Sequence, residues 1–277
     1  MTPEMNVNVV SRFVDVGDGR RVHYHEAGEG SPVVLVHGSG PGASGLSNFR
    51  QNVPALVAAG HRVLVPDTLG FGRSSMPDDV DYTLEFMVAG LRGFLDALGL
   101  DRVALIGNSL GGAMCIQIAL DQPERVSKLV LMAPGGLEPR ERYFEMRGIR
   151  TMLKVFFDPN GITAEGMRKV FSLQLFDASG LADGVVEERL AVALTQPKRV
   201  FETMRVPDLA PRLSELSCPI LAFWGMNDQF CPPSGAMRIA EQCKRARVVL
   251  LTECGHWVMV EHTALFDRLC LDFLAET

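Results

Sequence analysis

The sequence predicts an α/β fold in which helices cover both faces of a mostly parallel sheet. Short apolar runs at 32–36, 62–65, 103–106 and 126–132 alternate with segments of helical character. Continuous apolar runs are typical of strands buried on both faces of a parallel sheet, and their alternation with helices indicates a doubly wound architecture. A Gly-x-Ser-x-Gly pentapeptide at 107–111 joins the third run to its helix. We therefore expect the functional site at the carboxyl ends of the strands.

The first two strands are predicted to form an antiparallel hairpin at the edge of this sheet. Residues 13–27 alternate in polarity and break at an Asp-Gly pair, with 21–25 as the second strand. His23 and His25 share one face of that strand, a spacing that could suit a metal pair, but no third ligand is near in sequence. We therefore expect a solvated strand face there.

The first buried strand, 32–36, leads into a glycine-rich loop, His37-Gly38-Ser39-Gly40-Pro41-Gly42. This loop lacks the lysine and spacing of a phosphate-binding loop, and it lacks the fingerprint of a dinucleotide site. Its exposed backbone N–H groups are better suited to stabilise an oxyanion. We expect His37 to be structural and a helix to follow at 46–59.

The second buried strand, 62–65, is followed by Asp67 in another glycine-rich turn. That position fits a carboxylate that orders the loop better than it fits a catalytic acid. Residues 83–98 then place leucine and methionine at helical spacing, with Thr83 as the N-cap and Gly99 as the C-cap. This helix is predicted to lead into the strand that carries the pentapeptide.

Ser109 lies at the centre of the pentapeptide, between the strand 103–106 and a helix at 113–120. So tight a strand-to-helix turn strains the serine backbone, and it requires glycine two residues away on either side because a Cβ there would clash. The turn exposes the serine Oγ and places the Leu110 N–H at a helix N-terminus, where negative charge is favoured. This setting predicts a nucleophile rather than a serine that merely caps a helix.

The stretch from 134 to about 213 differs in character from the rest of the chain. It carries helix-like segments rich in Met, Phe and Arg, it has no buried strand run, and it is bracketed by proline-containing segments. We predict a helical lid at 134–213, inserted into a core domain of residues 1–133 and 214–277, that covers the strand ends with an apolar pocket. The alternative is a set of surface helices without a pocket.

Two further apolar strands, 219–225 and 247–251, come before Asp228 and His256. Serine, aspartate and histidine, each placed after a strand, follow the chain order of the α/β-hydrolase fold. Histidine supplies a base that works near neutral pH, and a buried aspartate fixes its tautomer. The competing residues follow no strand: Asp208, His61 and His262. A helix at 264–274 closes the chain.

The composition argues against several classes of partner. The net charge is −6, and no cluster of lysine and arginine offers a surface for nucleic acid. No segment resembles a secretory signal or approaches the length of a membrane span. The six cysteines lack Cys-x-x-Cys spacing. We therefore expect a cytoplasmic protein that binds neither nucleic acid nor membrane.

Four runs of sequence resemble the meta-cleavage product hydrolases of bacterial aromatic and steroid degradation: 37–43, 47–49, 107–112 and 255–257. Those α/β-hydrolases break a carbon–carbon bond in 2-hydroxy-6-oxo-hexa-2,4-dienoates, the vinylogous 1,5-diketones made by ring-opening dioxygenases. The resemblance implies an eight-stranded, mostly parallel sheet, a small-molecule substrate, no metal or organic cofactor, and a homo-oligomer of two or more subunits. Leu46 and Leu190 stand where relatives often carry larger aromatic residues, which leaves the 6-substituent of the substrate open.

The same resemblance assigns the site residues. It implies Ser109 as the nucleophile, His256 as the proton shuttle and Asp228 as the acid that orients the histidine. The N–H groups of Ser39 and Leu110 would form the oxyanion hole. The dienoate end of the substrate would be held by a larger group: Gly40, Asn48, Asn108, Arg189 and Trp257. Arg189 would pair with the substrate carboxylate, and the alternative is that it is a surface residue in a charged run.

Other functions share parts of this pattern. A carboxylesterase or lactonase would use the same triad but would give Asn48 and Arg189 no anion to bind. Haloalkane dehalogenases and epoxide hydrolases use an aspartate nucleophile, which Ser109 argues against. A cofactor-free oxygenase is a weaker alternative. The intact triad also argues against a receptor that binds a small molecule without chemistry.

Overall fold

The computed structural model describes residues 7–179, 181 and 183–276. Within these ranges one sheet has the strands β1 (Val10–Asp15), β2 (Arg21–Ala27), β3 (Ser31–Val36), β4 (His61–Pro66), β5 (Val103–Asn108), β6 (Val126–Met132), β7 (Ile220–Gly225) and β8 (Ala246–Leu251). Their spatial order is β1-β2-β4-β3-β5-β6-β7-β8. β2 pairs antiparallel with β1 and β4, and all later neighbours are parallel. The predicted hairpin and the eight-stranded, mostly parallel sheet are confirmed.

Helices cover both faces of this sheet. Those of the core are α1 (Gly45–Phe49), α2 (Val53–Ala58), α3 (Leu84–Ala97), α4 (Leu110–Asp121), α10 (Ser234–Gln242), α11 (Val258–Glu261) and α12 (Thr263–Ala275). Successive residues of β3 point to opposite faces, so Val34 packs with α3, α4 and α10 while Val33 packs with α1, α2, α11 and α12. Because both faces are buried, the strands read as continuous apolar runs.

The predicted helix at 46–59 is wrong in one respect, since the structure divides it into α1 and α2. Pro54 occupies the first turn of α2, where its missing N–H costs nothing, but it would clash with the carbonyl four residues earlier in one continuous helix. Ser44 and Ser47 form a capping box that fixes the start of α1. This short helix carries Asn48 towards the strand ends.

The expectation of a solvated face for His23 and His25 is also wrong. The His23 side chain is fully buried and its Nδ1 lies 2.8 Å from an Asp67 carboxylate oxygen. Asp67 also accepts hydrogen bonds from the Gly45 and Arg73 N–H groups, at 2.8 and 2.9 Å. Burial disfavours the charged carboxylate, but these hydrogen bonds and the nearby histidines outweigh it and hold the pKa of Asp67 below its usual value. Asp67 therefore orders the loops around it.

Between β6 and β7 the described residues form helices and no sheet strand, apart from a single β-bridge between Arg205 and Thr83. The helices are α5 (Arg140–Glu145), α6 (Arg147–Phe156), α7 (Ala164–Gln174), α8 (Asp183–Ala193), α9 (Arg199–Thr203) and a 3-10 helix at Ala210–Glu215. The Gly148 N–H of α6 donates to the Gln229 carbonyl at 2.7 Å, which docks α6 onto the segment that follows β7. The helical character predicted for this stretch is confirmed, whereas its role as a lid stays a prediction.

In the part of the chain that the structure describes, no helix combines the length and apolarity needed to cross a bilayer. All six cysteines are buried and free. Their sulfur atoms therefore contribute to the core as small apolar groups rather than as cross-links.

Candidate active site

Ser109 occupies the turn between β5 and α4 with φ 54° and ψ −117°, a backbone conformation that residues other than glycine rarely adopt. The flanking glycines are sterically required. A Cβ on Gly107 would lie 2.6 Å from the Gly111 carbonyl oxygen, and one on Gly111 would lie 2.1 Å from that of Val36. The strained turn is therefore enforced by close packing against β3, as expected for an exposed nucleophile.

His256 and Asp228 form a buried pair on the loops that follow β8 and β7. The His256 Nδ1 and an Asp228 carboxylate oxygen are 2.7 Å apart. The other carboxylate oxygen accepts the N–H groups of Phe230 and Cys231, at 2.7 and 2.9 Å. With its oxygens occupied by donors, the carboxylate holds the histidine in the tautomer that leaves Nε2 able to accept a proton. Both side chains are almost fully buried.

The backbone around Ser109 offers two N–H groups for an oxyanion. Leu110 is the first residue of α4, so its N–H has no acceptor within the helix. On the facing loop, a Cβ on Gly38 would lie 3.1 Å from the Ser109 Cβ, which places Ser39 next to the nucleophile. Ser39 and Ser109 line the same chamber. This is the arrangement expected of an oxyanion hole.

His37 supports the glycine-rich loop that carries Ser39 through hydrogen bonds to backbone groups. Its Nδ1 lies 2.7 Å from the Gly38 carbonyl oxygen, and its Nε2 accepts the Thr68 N–H at 3.0 Å. Both ring nitrogens are therefore used in holding backbone. Burial lowers the pKa of His37, so the ring is neutral at pH 7, in line with its predicted structural role.

A chain of amide hydrogen bonds orients Asn108 and Asn48. Asn108 Nδ2 donates to the Met132 carbonyl at 3.3 Å, so its Oδ1 is the atom that accepts Asn48 Nδ2 at 3.2 Å. This sequence of donors fixes the direction of both amides. Asn48 Oδ1 is left buried without a partner among the described residues. It is an acceptor available to a ligand.

Arg189 on α8 is 1% exposed, which excludes the alternative of a surface residue. Its Nε and Nη2 both donate to the Pro41 carbonyl at 3.2 Å, and its guanidinium lies over the rings of Phe171 and Trp257, at 5.0 and 5.5 Å. Its Nη1 has no partner among the described residues. Burial lowers the pKa of Arg189 to about 9. A buried cation with a free donor favours an anionic ligand.

The glycine-rich loop is shaped to contact Arg189 closely. Gly42 has φ +64°, and a Cβ there would lie 1.8 Å from the Arg189 carbonyl oxygen, while a Cβ on Gly40 would lie 2.5 Å from Nη2. Only glycine allows this approach. The loop therefore connects the oxyanion donors to the buried cation.

Sequence reasoning missed Gln174, at the end of α7. Its carbonyl accepts the N–H groups of His256 and Trp257, at 2.7 and 3.2 Å, and its buried Oε1 has no partner among the described residues. Ile149, Met152 and Phe230 also line the site. No motif marks any of these residues, because their positions depend on how the inserted helices pack.

The site residues predicted from the sequence meet in one place. All of them except Asp228 and Leu110 line a single small chamber. Asp228 stands behind His256, and Leu110 lines a larger adjoining cavity that also contains Ser109. The arrangement brings together a serine, a histidine paired with an aspartate, two backbone N–H groups and a buried arginine, which is the set of groups that addition of a serine to a carbonyl of an anionic substrate would need.

Comparisons with known proteins agree with this geometry. Residues 33–268 match the model of the Alpha/beta hydrolase family. The 2-hydroxy-6-oxo-6-phenylhexa-2,4-dienoate hydrolase of Burkholderia cepacia is 35% identical over 98% of this chain and 99% of its own. The 2-hydroxy-6-oxononadienedioate/2-hydroxy-6-oxononatrienedioate hydrolase of Paraburkholderia xenovorans is 37% identical over 96% and 95%.

A solved structure extends this likeness to three dimensions. A mutant meta-cleavage product hydrolase of Pseudomonas fluorescens, complexed with acetates, superposes with a TM-score of 0.83 at 30% identity, covering 95% of this chain and 97% of its own. Fold, sequence and site geometry point the same way. The chain belongs to the alpha/beta hydrolase family and, within it, to the meta-cleavage product hydrolases.

Proposed function

We propose that the protein is a serine hydrolase that cleaves a carbon–carbon bond in 2-hydroxy-6-oxo-hexa-2,4-dienoates during aromatic or steroid catabolism. The products are 2-hydroxypenta-2,4-dienoate and a carboxylic acid. The observation that carries the proposal is the buried guanidinium of Arg189, whose Nη1 has no partner within the described part of the chain, in the chamber that also contains Ser109. An esterase that acts on neutral substrates would bear the cost of burying this cation without a substrate anion to offset it.

The unpaired atoms of the chamber complement one end of this substrate. Arg189 Nη1 is a donor for the carboxylate, and either Asn48 Oδ1 or Gln174 Oε1 can accept the one proton of the neighbouring 2-hydroxyl. Trp257 and Phe171 flank the cation with apolar ring faces, which suits a planar dienoate. The complex would thus supply partners for buried polar atoms of the chamber that have none among the described residues.

The first step is conversion of the dienol to its keto form. The proton of the 2-hydroxyl is lost, the double bonds shift, and C5 is protonated, which gives a 2,6-dioxo-3-enoate. His256 serves as the proton shuttle, because its Nδ1 is held by Asp228 and its ring lines the chamber. The C5–C6 bond becomes cleavable since a carbanion at C5 is now delocalised onto the 2-oxo group.

Ser109 then adds to the C6 carbonyl while His256 accepts the hydroxyl proton. The N–H groups of Ser39 and Leu110 stabilise the oxyanion. Collapse of the tetrahedral adduct breaks C5–C6, expels the dienolate, which becomes 2-hydroxypenta-2,4-dienoate on protonation, and leaves an acyl group on Ser109. Water activated by His256 hydrolyses this ester. The sequence of steps requires neither a metal nor an organic cofactor.

The test follows the loss of the long-wavelength absorbance of a 6-phenyl dienoate alongside the hydrolysis of p-nitrophenyl acetate. We expect the dienoate to be turned over at least about a hundredfold more efficiently than the ester, and both activities to disappear in Ser109→Ala. Arg189→Gln should lower kcat/KM for the dienoate by about 10²-fold or more and leave ester hydrolysis within a few-fold. Ester cleavage without dienoate turnover would instead make the protein a carboxylesterase or lactonase.

Further parts of the proposal rest on the same site. Residues 134–213 act as a lid over a core of 1–133 and 214–277, because helix α6 and Arg189 reach the chamber from this insertion. The six free cysteines fit the reducing cytoplasm. A homo-oligomer of two or more subunits remains part of the proposal, and sedimentation analysis of the purified protein would measure it.

A further inference from the structure

A second cavity, of about 300 Å³, adjoins the chamber around Arg189. Both spaces are lined by Ser39, Ser109, Ile149 and Met152. Arg189 and the residues that bind the dienoate end line only the chamber, whereas a group of aromatic and aliphatic side chains lines only the cavity. The two spaces therefore meet at the nucleophile.

With the carboxylate at Arg189 and C6 at Ser109, the 6-substituent of the substrate lies in this cavity, and we infer that in this protein it is an uncharged apolar group larger than a phenyl ring. The inference rests on the proposed function, which places the carboxylate at Arg189 and C6 at Ser109. The group attached to C6 must then extend away from the chamber. The cavity is the space on that side of Ser109.

The lining of the cavity argues against a charged substituent. Its walls include Phe157, Phe201 and Met204. Tyr143 also lines the cavity, and its hydroxyl oxygen accepts the Leu137 N–H at 3.0 Å. A carboxylate among such side chains would lose its hydration without a buried cation to replace it.

Arg140 is the one ionisable lining residue with a permanent charge among the described residues of the cavity. Its side chain is exposed and stacks on the Phe144 ring at 5.0 Å. It also lines a separate groove that is bordered by α3, α4 and residues 205–208. Arg140 is therefore solvated at the rim and differs from the fully buried Arg189, which is built for an anion.

The volume indicates the size of the substituent. An apolar protein cavity of about 150 Å³ holds one benzene molecule. The present cavity, at about 300 Å³, has room for a fused bicyclic aryl group or an alicyclic group of similar bulk. A methyl group would leave most of it empty, and a phenyl group would fill about half. The larger group packs against more of the wall, and this added dispersion attraction should raise kcat/KM.

The experiment measures kcat/KM for four dienoates that carry methyl, phenyl, 2-naphthyl or 2-carboxyethyl at C6. We expect kcat/KM for the naphthyl compound to be at least about tenfold higher than for the methyl compound and about a hundredfold higher than for the carboxyethyl compound. Each buried methylene contributes about fourfold to kcat/KM. A preference for methyl, phenyl or carboxyethyl would overturn the inference and leave the proposed function standing. Turnover of none of the four would contradict the proposed function itself.

A variant pair tests the location. Leu153 lines the cavity and not the chamber, so Leu153→Trp should lower the ratio of kcat/KM for naphthyl over methyl at least about tenfold by filling the space. Lys154, the next residue of α6, is exposed, and Lys154→Trp should leave that ratio unchanged. An equal ratio in both variants, with thermal unfolding showing that both are folded, would place the substituent elsewhere. If Leu153→Trp does not fold, Met204→Trp takes its place.

Discussion

Asp228 shows how single atoms decide the chemistry of this site. One carboxylate oxygen binds His256 Nδ1, and the other accepts two backbone N–H groups, from Phe230 and Cys231. An amide side chain of the same shape could keep the second set of contacts, since its oxygen still accepts. It would then present an NH2 group to His256. The tautomer of the histidine, rather than the position of its ring, depends on the Asp228 oxygen that contacts Nδ1.

Asp228→Asn should therefore lower kcat for the dienoate by about 10⁴-fold with little change in the fold. The amide NH2 makes Nδ1 an acceptor, which moves the ring proton to Nε2 and removes the base for Ser109. Asp208, the competing acid in the sequence, is exposed and accepts the Ala210 N–H at 3.0 Å. Asp208→Asn is the matched control and should retain wild-type kcat. Equal losses in the two variants would contradict the assignment of Asp228.

At the scale of elements, Glu261 on α11 connects two segments that the proposed chemistry needs. One carboxylate oxygen accepts the Gly255 N–H at 2.6 Å, next to His256, and the other accepts the Phe176 N–H, two residues beyond Gln174. Gln174 in turn accepts the backbone N–H of His256. The single carboxylate of Glu261 thus fixes the positions of His256 and Gln174 relative to each other.

Glu261→Gln should disturb the relative position of His256 and Gln174, because the amide keeps one acceptor oxygen and turns an NH2 group towards the other backbone N–H. We expect kcat/KM for the dienoate to fall about tenfold and the free energy of unfolding to drop by about 1–2 kcal/mol. Thr263→Val, on the neighbouring turn, removes a hydroxyl bonded to Gln51 and to the helix carbonyls and serves as the control for stability alone. A loss of stability without any change in kcat/KM would show that Glu261 is only structural.

At the scale of the whole molecule, buried histidines connect protonation to folding. Burial lowers the pKa of His25 to about 4, with a further contribution from the neighbouring His23, and burial also lowers the pKa of His37. An unfolded chain takes up these protons near pH 6.5, whereas the folded protein does not. The resulting stability is complete above about pH 6.5 and is lost progressively as the pH falls towards 4.

His25→Phe should weaken this dependence on pH. The His25 Nδ1 has no partner among the described residues, so a phenyl ring removes the titration without breaking a hydrogen bond there. Between pH 6.5 and 4.5 we expect the free energy of unfolding to fall by about 1 kcal/mol less in the variant than in the wild type. Chemical denaturation at a series of pH values measures this difference. Parallel curves for the two proteins would mean that His25 does not contribute.

Much of the fold could be read from the sequence because local patterns govern it. An apolar run predicts the strand β5, two glycines predict the tight turn at Ser109, and a helical segment predicts α4. Thr83 caps α3 as its sequence indicates. The division of the predicted helix at 46–59 was missed because hydrophobic spacing outweighed Pro54 in the prediction. The burial of His23 was missed because its partner, Asp67, lies far away in sequence, in the turn that follows β4.

The sequence by itself determined the α/β class, the order of the strands along the chain and the strand-end positions of Ser109, Asp228 and His256. These depend on periodicity and on neighbours within a few residues. Only the tertiary structure decided that Arg189 is buried, that Arg189, Gln174 and Asn48 each present a polar atom without a partner among the residues the structure describes, and that an apolar cavity opens on the other side of Ser109. Those features arise where the inserted helices pack across the strand ends, and desolvation and cavity shape are set by such long-range packing rather than by any local pattern.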